Sequence, residues 1–303
     1  MSLSFRQLEV IRAVARHGSV TLAAAALGIS QPAVSMLLRD SAALAGFPLF
    51  LRRQGRLQPS AEARVLLADL DRVFEGVERI NRLVEDMRDT SIGSVQIAAT
   101  PTLADNLLPR AIALLKRARP RLQIVVHTMD NPGVLDTVQR ERVDFGLVLT
   151  PIGDPDLRRV ELCSGPLIAV VQPGHPLAGR GTVRPPDLAD YPLISFSRSL
   201  PLGHLVERTF REAGVPRRIA LEVTQSSVAC ALARTGIGVA VTDPFLLAEP
   251  RDHGVVRLRL EPATPVSALA LLPRDGHPAR PALLLLAALR RHAQALQRSG
   301  GLG

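Results

Sequence analysis

The apolar positions between Ser60 and Asp89 follow a strict repeat. Successive apolar residues lie alternately four and three positions apart, and charged residues flank them. Such a repeat is typical of a helix that pairs with a second helix in a coiled coil. A helix that packs on its own domain, the alternative, shows a broader apolar stripe. The pattern favours a linker helix over residues 61–90 that pairs with a second copy of the chain through Leu66, Leu70, Val73, Val77, Ile80 and Val84.

The pattern just before this repeat predicts two short helices that cross at a steep angle. Ala24 is small enough for the crossing, and Gly28 tolerates the positive φ of a tight turn. Ser30 and Pro32 suit the start of the second helix. The residues expected to face inward are Leu22, Leu27, Ile29, Val34 and Leu37. This arrangement is typical of a helix-turn-helix, and an ordinary helical hairpin in a core is the alternative.

A helix predicted over residues 5–16 precedes this pair, and two strand-like pieces around Gly55 follow it. The outward side of the second helix offers hydrogen-bonding and small groups that can meet base edges. The hairpin arginines can lie along phosphates as a β-wing, with a solvated hairpin as the alternative. We therefore expect a winged helix-turn-helix domain over residues 1–60 that binds double-stranded DNA. Its predicted DNA-binding residues are Gln31, Pro32, Ala33, Ser35, Met36, Arg39, Arg52, Arg53 and Arg56.

The distribution of charge agrees with this division. The chain has a formal net charge of +9, and Lys116 is its only lysine. Residues 1–60 carry seven arginines and two acidic residues, whereas residues 61–90 carry five arginines and eight acidic residues. A basic head followed by an acidic helix suits a phosphate-facing domain on a solvated stalk.

Beyond the linker, strand-like and helix-like segments alternate to the C-terminus. Such alternation indicates an α/β fold built on doubly wound parallel sheets. Crossings near residues 162–166 and 264–268 divide the segments into two lobes, which predicts a periplasmic-binding-protein-like sensor domain over residues 91–303. The expected boundaries are about 91–163 and 267–303 for lobe I and about 164–266 for lobe II. Ligands of such folds bind where strand ends meet helix N-termini.

Several function classes lack support in the sequence. Motifs of serine hydrolases, zinc proteases, phosphate-binding loops and dinucleotide-binding folds are absent, so we expect neither enzyme activity nor a cofactor or metal. Cys163 and Cys230 lack metal-ligand spacing and are expected to be reduced, buried thiols. The chain shows no export signal, and its longest apolar run, residues 282–289, is too short to span a bilayer. We therefore expect a cytoplasmic protein with no membrane partner.

The predicted head, wing, stalk and two-lobed domain together resemble the LysR-type transcriptional regulators nearly from end to end. The resemblance rests on SQPAVS followed by PLF-x-R, and on the segments GSVQIAATPTLADNLLP, VDFGLVL, PLIAVVQPGHPLA and GIGVAV. It implies a sequence-specific DNA-binding regulator whose activity is modulated by a small-molecule effector. It also implies a tetramer, with RNA polymerase as a candidate partner.

Finer features of the same segments concern the effector and the operator. The wording GSVT and GFPLF-x-RR-x-GRL-x-P resembles the branch of opine and amino-acid regulators, which suggests an amino acid or a related carboxylate as effector. Met36 occupies a position that is commonly basic in the family, and Ser41 and Ala42 replace a common Leu-Glu pair. These departures affect the operator that the chain recognises.

The resemblance implies an effector site between the lobes, and the residues that follow the predicted strands agree. Thr100 and Thr102 lie where hydroxyl and backbone N–H groups can hold an anion, with simple helix capping as the alternative. Phe196 either packs on a ligand or belongs to the core. Asp243 can receive a cationic group, although a loop residue before Pro244 is the favoured interpretation. The predicted effector-binding residues are Thr100, Thr102, Asn131, Thr150, Ser195, Phe196, Ser197, Thr224 and Gln225.

Two alternatives keep parts of this interpretation. A free-standing solute-binding protein shares the two lobes, but it needs an export signal and does not explain residues 1–90. A ligand-independent architectural DNA-binding protein has no need of the sensor domain. A thermal stability that does not change with any metabolite would favour the second alternative.

Overall fold

The structure is a computed structural model that describes residues 2–53, 56–88, 94–153, 156–248, 254–276 and 278–302. Within these ranges, side chains are described except at residues 53, 56, 75, 78, 79 and 81–88. The chain divides into two compact units, Met1–Asn81 and Arg82–Gly303. No single helix in the described ranges is long and apolar enough to cross a membrane, although Val20–Leu27 and Gln31–Ala45, bent by 108°, meet the length and composition criteria as a pair.

The first unit combines helices with a two-stranded hairpin. Its elements are α1 (Phe5–His17), α2 (Val20–Leu27), α3 (Gln31–Ala45), β1 (Phe50–Arg53), β2 (Arg56–Pro59) and the first part of α4 (Ala61–Arg88). Ser4 and Gln7 form a capping box at the start of α1. Gly18 ends this helix with a φ of 62°, a conformation that glycine adopts readily. The predicted turn residue Gly55 lies outside the described residues.

Helices α2 and α3 form the predicted helix-turn-helix. Gly28 lies in the turn with a φ of 64°. The Ser30 hydroxyl accepts a hydrogen bond from the Ala33 backbone N–H at 3.4 Å and caps α3. Ala24 is buried in α2, and Val34 of α3 is fully buried in the same apolar cluster. The turn and cap signals of the sequence therefore correspond to the observed boundaries.

Leu22 does not face inward as the sequence predicts. Its side chain is 57% exposed, and Ala23 and Ala24 occupy the buried side of α2 instead. Every residue of this helix except Thr21 is apolar, so periodicity could not identify the buried side.

The first turns of α4 pack on their own domain. Leu70 and Phe74 are buried in a cluster with Ile11 of α1 and Leu49, and Leu66 packs against the same cluster. The prediction that Leu70 pairs with a partner helix is therefore wrong, because its side chain is 3% exposed within one chain. Phe74 lies outside the four-three repeat and widens the apolar stripe, as expected for a helix on its own domain.

The next part of α4 keeps an open apolar face. Val73 is 50% exposed and Ile80 is 58% exposed, whereas Val77 is half-buried. The side chain of Val84 lies outside the described residues. The helix thus has two apolar surfaces, one covered by its own domain and one uncovered within the chain.

The second unit is an α/β structure with two sheets. In chain order its elements are β3 (Ser94–Ala99), α5 (Pro101–Asn106), α6 (Leu108–Ala118), β4 (Gln123–Thr128), α7 (Asn131–Gln139), β5 (Phe145–Leu149), β6 (Leu157–Pro166), β7 (Ile168–Val171), β8 (Thr182–Val183), α8 (Pro185–Leu188), β9 (Leu193–Phe196), α9 (Pro201–Glu212), β10 (Ile219–Val223), α10 (Ser226–Arg234), β11 (Val239–Thr242), a 3₁₀ turn (Pro244–Leu247), β12 (Val256–Leu260), β13 (Pro265–Pro273) and α11 (Arg280–Arg298). The lobe I sheet has the order β4-β3-β5-β13-β6, and the lobe II sheet has the order β10-β9-β11-β7-β12-β8.

Both sheets are mixed, so the parallel arrangement that the alternation indicates holds for only part of each sheet. Parallel pairs join β3 to β4 and β5, and join β9 to β10 and β11. Strand β13 runs antiparallel to β5 and β6, and β7 runs antiparallel to β11 and β12. Alternation along the chain predicts the parallel pairs, but strands that return after a lobe crossing pair with their neighbours in the opposite direction.

Two local differences between the predicted and the observed elements have a clear cause. The sequence predicts one helix over residues 103–120, but the chain breaks at Leu107 between α5 and α6, and Pro109 occupies the first turn of α6. The sequence does not predict strand β6, because its first half carries Arg158 and Arg159 at exposed positions and lacks an apolar run.

Candidate functional site

The start of α3 and strand β1 form the first candidate surface. Six of the predicted DNA-binding side chains belong to α3. The exposed ones are Gln31, Pro32, Met36 and Arg39, and the half-buried ones are Ala33 and Ser35. Arg52 of β1 is exposed. Arg53 and Arg56 are paired through their backbones, and their side chains lie outside the described residues. This surface therefore offers amide, hydroxyl, apolar and guanidinium groups to a ligand.

The arginines of this surface and Arg12 of α1 differ in their ion-pair partners. Among the residues that the structure describes, no ion pair involves Arg39 or Arg52. Arg12 of α1 instead lies 2.9 Å from Asp71 of α4 and stacks 4.7 Å over the Phe74 ring. Arg12 therefore holds α4 to its domain, whereas no described acidic residue pairs with Arg39 or Arg52.

The second candidate site is a cavity of about 360 Å³ within the second unit. Residues from both lobes line it: Thr100, Pro101, Thr102, Thr128, Met129, Asp130, Asn131, Leu149, Thr150, Phe196, Leu200, Pro201, Leu202, Thr224, Gln225 and Ser226. Helices α5, α7, α9 and α10 all begin among these residues. Their first backbone N–H groups have no partner within their own helix, so the cavity is suited to an acid group.

Side-chain caps do not pair with all the hydrogen-bond donors at the helix starts around the cavity. Asp130 caps α7 by accepting a hydrogen bond from Gly133 N–H at 2.9 Å. Thr100, Leu200 and Gln225 precede α5, α9 and α10 without a side-chain capping bond. The Thr100 hydroxyl is buried and has no hydrogen-bond partner among the residues that the structure describes. A ligand acceptor can satisfy this hydroxyl together with nearby N–H groups.

Other predicted residues are held in place by strand ends. The Asn131 side-chain amide donates to the Leu149 carbonyl at 2.7 Å. The Thr150 hydroxyl accepts a hydrogen bond from Ser267 N–H at 2.8 Å. These bonds fix the two side chains at the lobe I rim of the cavity.

Asp243 lies behind the cavity and connects the lobes. Its Oδ2 accepts hydrogen bonds from Ser226 at 2.5 Å and from Thr102 of lobe I at 3.5 Å. Its Oδ1 accepts from the N–H groups of Phe245 and Leu246 at 2.9 and 3.2 Å. Burial raises the pKa of the Asp243 carboxyl, and the hydrogen bonds from Ser226 and the backbone oppose that rise. Asp243 is thus a buried structural acceptor rather than only a loop residue.

The cavity brings together all the predicted effector-binding residues except Ser195 and Ser197. Ser195 is fully buried in β9, all of whose residues are buried, and its side chain points to the face opposite Phe196. The Ser197 hydroxyl accepts a hydrogen bond from Ser199 and lies away from the lining. Phe196 both packs in an apolar cluster and lines the cavity, so its two interpretations are compatible.

The residues of the lining around the start of α9 are not among the predicted effector-binding residues. Leu200, Pro201 and Leu202 contribute to the cavity. Pro201 at the first helical position marks the start of α9 in the sequence and is the signal for this part of the lining. The sequence places Ser226 beside Thr224 and Gln225 after a predicted strand, and it lines the cavity with them. Its hydrogen bond to Asp243 was not predictable, because the two residues are distant in sequence.

The two cysteines lie outside this site. Cys163 and Cys230 are buried free thiols, as expected. Burial, with a smaller contribution from the charge of Glu161, raises the pKa of Cys163 to about 12. A thiol with this pKa is not a nucleophile near neutral pH.

Comparison with known proteins gives consistent matches along the chain. Residues 5–64 match the family profile described as "Bacterial regulatory helix-turn-helix protein, lysR family", and residues 88–294 match the profile "LysR substrate binding domain". The transcriptional activator protein LysR of Escherichia coli is 30% identical over 294 residues, which cover 97% of this chain and 93% of that protein. The octopine catabolism/uptake operon regulatory protein OccR of Rhizobium meliloti is 31% identical over 84% of each chain.

Solved structures show the same fold. Full-length CbnR complexed with its target DNA superimposes with a TM-score of 0.71 at 21% identity, covering 97% of this chain and 99% of that one. A full-length OxyR of Pseudomonas aeruginosa, in a variant with one cysteine replaced by aspartate, superimposes with a TM-score of 0.69 at 16% identity, covering 98% of this chain and 97% of that one.

The raised pKa of Asp243 predicts a pH effect on stability. The carboxyl group stabilises the fold below its unfolded pKa, and this contribution is lost as pH rises through the folded pKa. We expect Asp243→Asn to make the free energy of unfolding depend less on pH in that range. Urea unfolding of the wild type and the variant at several pH values measures the difference.

Asp190→Asn, at an exposed position, controls for the loss of one negative charge. If Asp243→Asn left the wild-type pH dependence unchanged, the assignment of that dependence to Asp243 would be wrong.

Proposed function

Because this chain belongs to the LysR family of transcriptional regulators, we propose that α3 and the hairpin read an operator and that the cavity binds the effector. The chain is a DNA-binding transcriptional regulator with an effector-binding domain, and it is not an enzyme. The match over residues 88–294 does not support the alternative of a ligand-independent architectural protein. Action on DNA supports a cytoplasmic location as part of the same proposal.

We propose domain limits of 1–60, 61–90 and 91–303. The start of α4 at Ala61 supports the first boundary. Strands β6 and β13 pair along their whole length and carry the chain out of lobe I and back, which supports lobes at about 91–163 with 267–303 and at about 164–266.

The proposal for DNA reading rests on the exposed start of α3. Gln31 and Ser35 carry hydrogen-bonding groups that can meet base edges when the helix enters the major groove. Arg52 stands on the adjacent hairpin, where a guanidinium group binds phosphate without reading sequence. Specificity and general affinity are therefore assigned to different side chains.

This division of roles predicts different effects of two variants on DNA affinity. Gln31→Ala is expected to weaken binding to the operator more than binding to random duplex, because it removes a base contact. Arg52→Ala is expected to weaken both about equally and to reduce the slope of log affinity against log salt by about 1. Fluorescence anisotropy on a duplex selected from a random library, over a range of salt concentrations, measures both effects.

Equal losses on operator and random DNA for the two variants would contradict the division. Glu62→Ala, at an exposed position on α4, is a matched control that removes a polar side chain away from the proposed surface.

The effector proposal rests on the chemistry of the cavity. Helix N-termini and the unpartnered Thr100 hydroxyl supply donors for a carboxylate, and the described lining contains no lysine or arginine. Asp130 is the charged residue of the lining and can receive an ammonium group. A volume of about 360 Å³ suits a small molecule. These features support an amino acid or a related carboxylate, and the name of the relative OccR also concerns an opine.

Binding there can act on the arrangement of the lobes. The lining comes from both lobes, and the Thr102–Asp243 contact joins them behind the cavity. A ligand that contacts both sides has a higher affinity for the state in which they are close, so its binding shifts the population toward that state. We propose that this shift modulates DNA binding and contact with RNA polymerase.

The effector site predicts a loss of affinity in Thr100→Val. This substitution keeps the shape of the side chain but removes the donor proposed for the carboxylate, and the expected loss is about tenfold or more. Thermal-shift screening of amino acids and opines identifies a ligand, and calorimetry then compares the variant with the wild type.

Ser197→Ala is the matched control, because Ser197 lies outside the lining and the variant should bind as the wild type does. Wild-type affinity in Thr100→Val would remove Thr100 from the site. A screen in which no small molecule changes the melting temperature would contradict the effector proposal as a whole.

We also propose that α4 pairs with a second chain through its uncovered face, giving a homodimer and, by family resemblance, a homotetramer. Val73 and Ile80 are large apolar residues exposed on one face of a helix, whereas Leu66 and Leu70 are covered by their own domain. Burying that face against its copy removes it from water.

Val73→Asp is therefore expected to dissociate the dimer, because it places an unpaired charge in the interface. Ala68→Asp adds the same charge at an exposed position on a different face and should leave the assembly intact. Analytical ultracentrifugation measures the mass of each. A dimer that survives Val73→Asp unchanged would disprove pairing through this face.

A further inference from the structure

Met36 is an apolar side chain on the exposed surface of α3. It is 54% exposed on the outward side of α3, one turn after Pro32 and one turn before Arg39. It belongs to neither of the apolar clusters of the first unit, whose α3 members include Val34, Leu37 and Leu38. The fold of the described domain therefore does not bury this thioether, which is accessible on the side of α3 that we propose to face DNA.

The chemistry of methionine limits what that ligand can be. Its side chain has no N–H or O–H donor and only a weakly accepting sulfur, so it cannot replace the basic residue that the family resemblance implies here. It neither binds phosphate nor reads the hydrogen-bonding edge of a base. The apolar group that the major groove presents is the C5-methyl of thymine.

We infer that Met36 recognises a thymine methyl group in each half-site of the operator. The inference rests on the proposed entry of α3 into the major groove. The side chain is long, unbranched and flexible, so it can reach a methyl group beside the bases contacted by Gln31 and Ser35. Specificity at that position then comes from a methyl contact rather than from a hydrogen bond.

Leu22 provides a matched comparison within the same domain. It is 57% exposed, similar to Met36, but it lies on α2, the helix that crosses the DNA backbone in this motif. A leucine at that place faces sugar and phosphate, which are the same for thymine and uracil. Its removal should leave methyl recognition unchanged.

The test replaces thymine by deoxyuridine, which removes only the methyl group. A duplex selected by the full-length protein from a random library is resynthesised with uracil at one position at a time, symmetrically in both half-sites. We expect one position at which uracil weakens wild-type binding by about fourfold per half-site, the effect of one buried methyl group. The same substitution should have no effect on Met36→Ala.

Two further variants separate the contact from a change in structure. Met36→Leu keeps an apolar side chain and should retain the sensitivity to uracil, and Leu22→Ala should retain it as well. At the same position, a pair of duplexes with cytosine or 5-methylcytosine supplies an independent measurement. The wild type should bind the methylated duplex more tightly, and Met36→Ala should bind both alike.

The outcomes distinguish the two levels of the proposal. Selection that enriches no sequence would overturn the assignment of α3 as the reading helix, and the inference about Met36 with it. Specific binding with no uracil-sensitive position, or sensitivity that persists in Met36→Ala, would overturn the inference about Met36 alone.

Discussion

The unpaired backbone N–H groups at helix starts are the constraint on which both sites depend. Each helix begins with about four such groups, and side chains, water or ligands must satisfy them. Ser30 caps α3 through the Ala33 N–H, so the helix that we propose to read DNA begins at a defined residue. In the second unit, α5, α9 and α10 begin at the cavity without a side-chain cap. The N–H groups of an uncapped helix start in a cavity can donate to an acceptor group of a ligand. This is the reason for proposing a carboxylate as the ligand.

Helix α4 combines two roles that a single apolar repeat cannot separate. Its first turns bury Leu70 and Phe74 against α1, while Arg12 bridges to Asp71 beside them. The later face with Val73 and Ile80 is uncovered within the chain. A helix anchored at one end by its own domain can present the rest of its length to a partner. The same side chains that stabilise the head therefore determine which part of the helix is available for pairing.

Asp243 shows how a structural group contributes to a binding site without contacting the ligand. It accepts from Ser226 and Thr102, both of which line the cavity, and from two backbone groups of the 3₁₀ turn. Those two hydroxyl protons are donated to Asp243 and not to a ligand, whereas the Thr100 hydroxyl has no partner among the described residues. The buried carboxylate thus influences the polarity of the site through the hydrogen bonds that it accepts.

Local chemistry in the sequence determined the helix starts, the turns and the family. Gly28, Ser30 and Pro32 act on the local backbone. The turn and the helix start that they produce can therefore be predicted without knowledge of tertiary contacts. Residues that follow strands also meet at one cavity, since parallel strands end on one edge of a sheet. Tertiary packing alone decided which face is buried where most residues are apolar, as at Leu22, or where two partners compete for one stripe, as at Leu70. It also decided the antiparallel return strands and the Asp243 bridge, because both depend on residues that are distant in sequence and meet only in the folded chain.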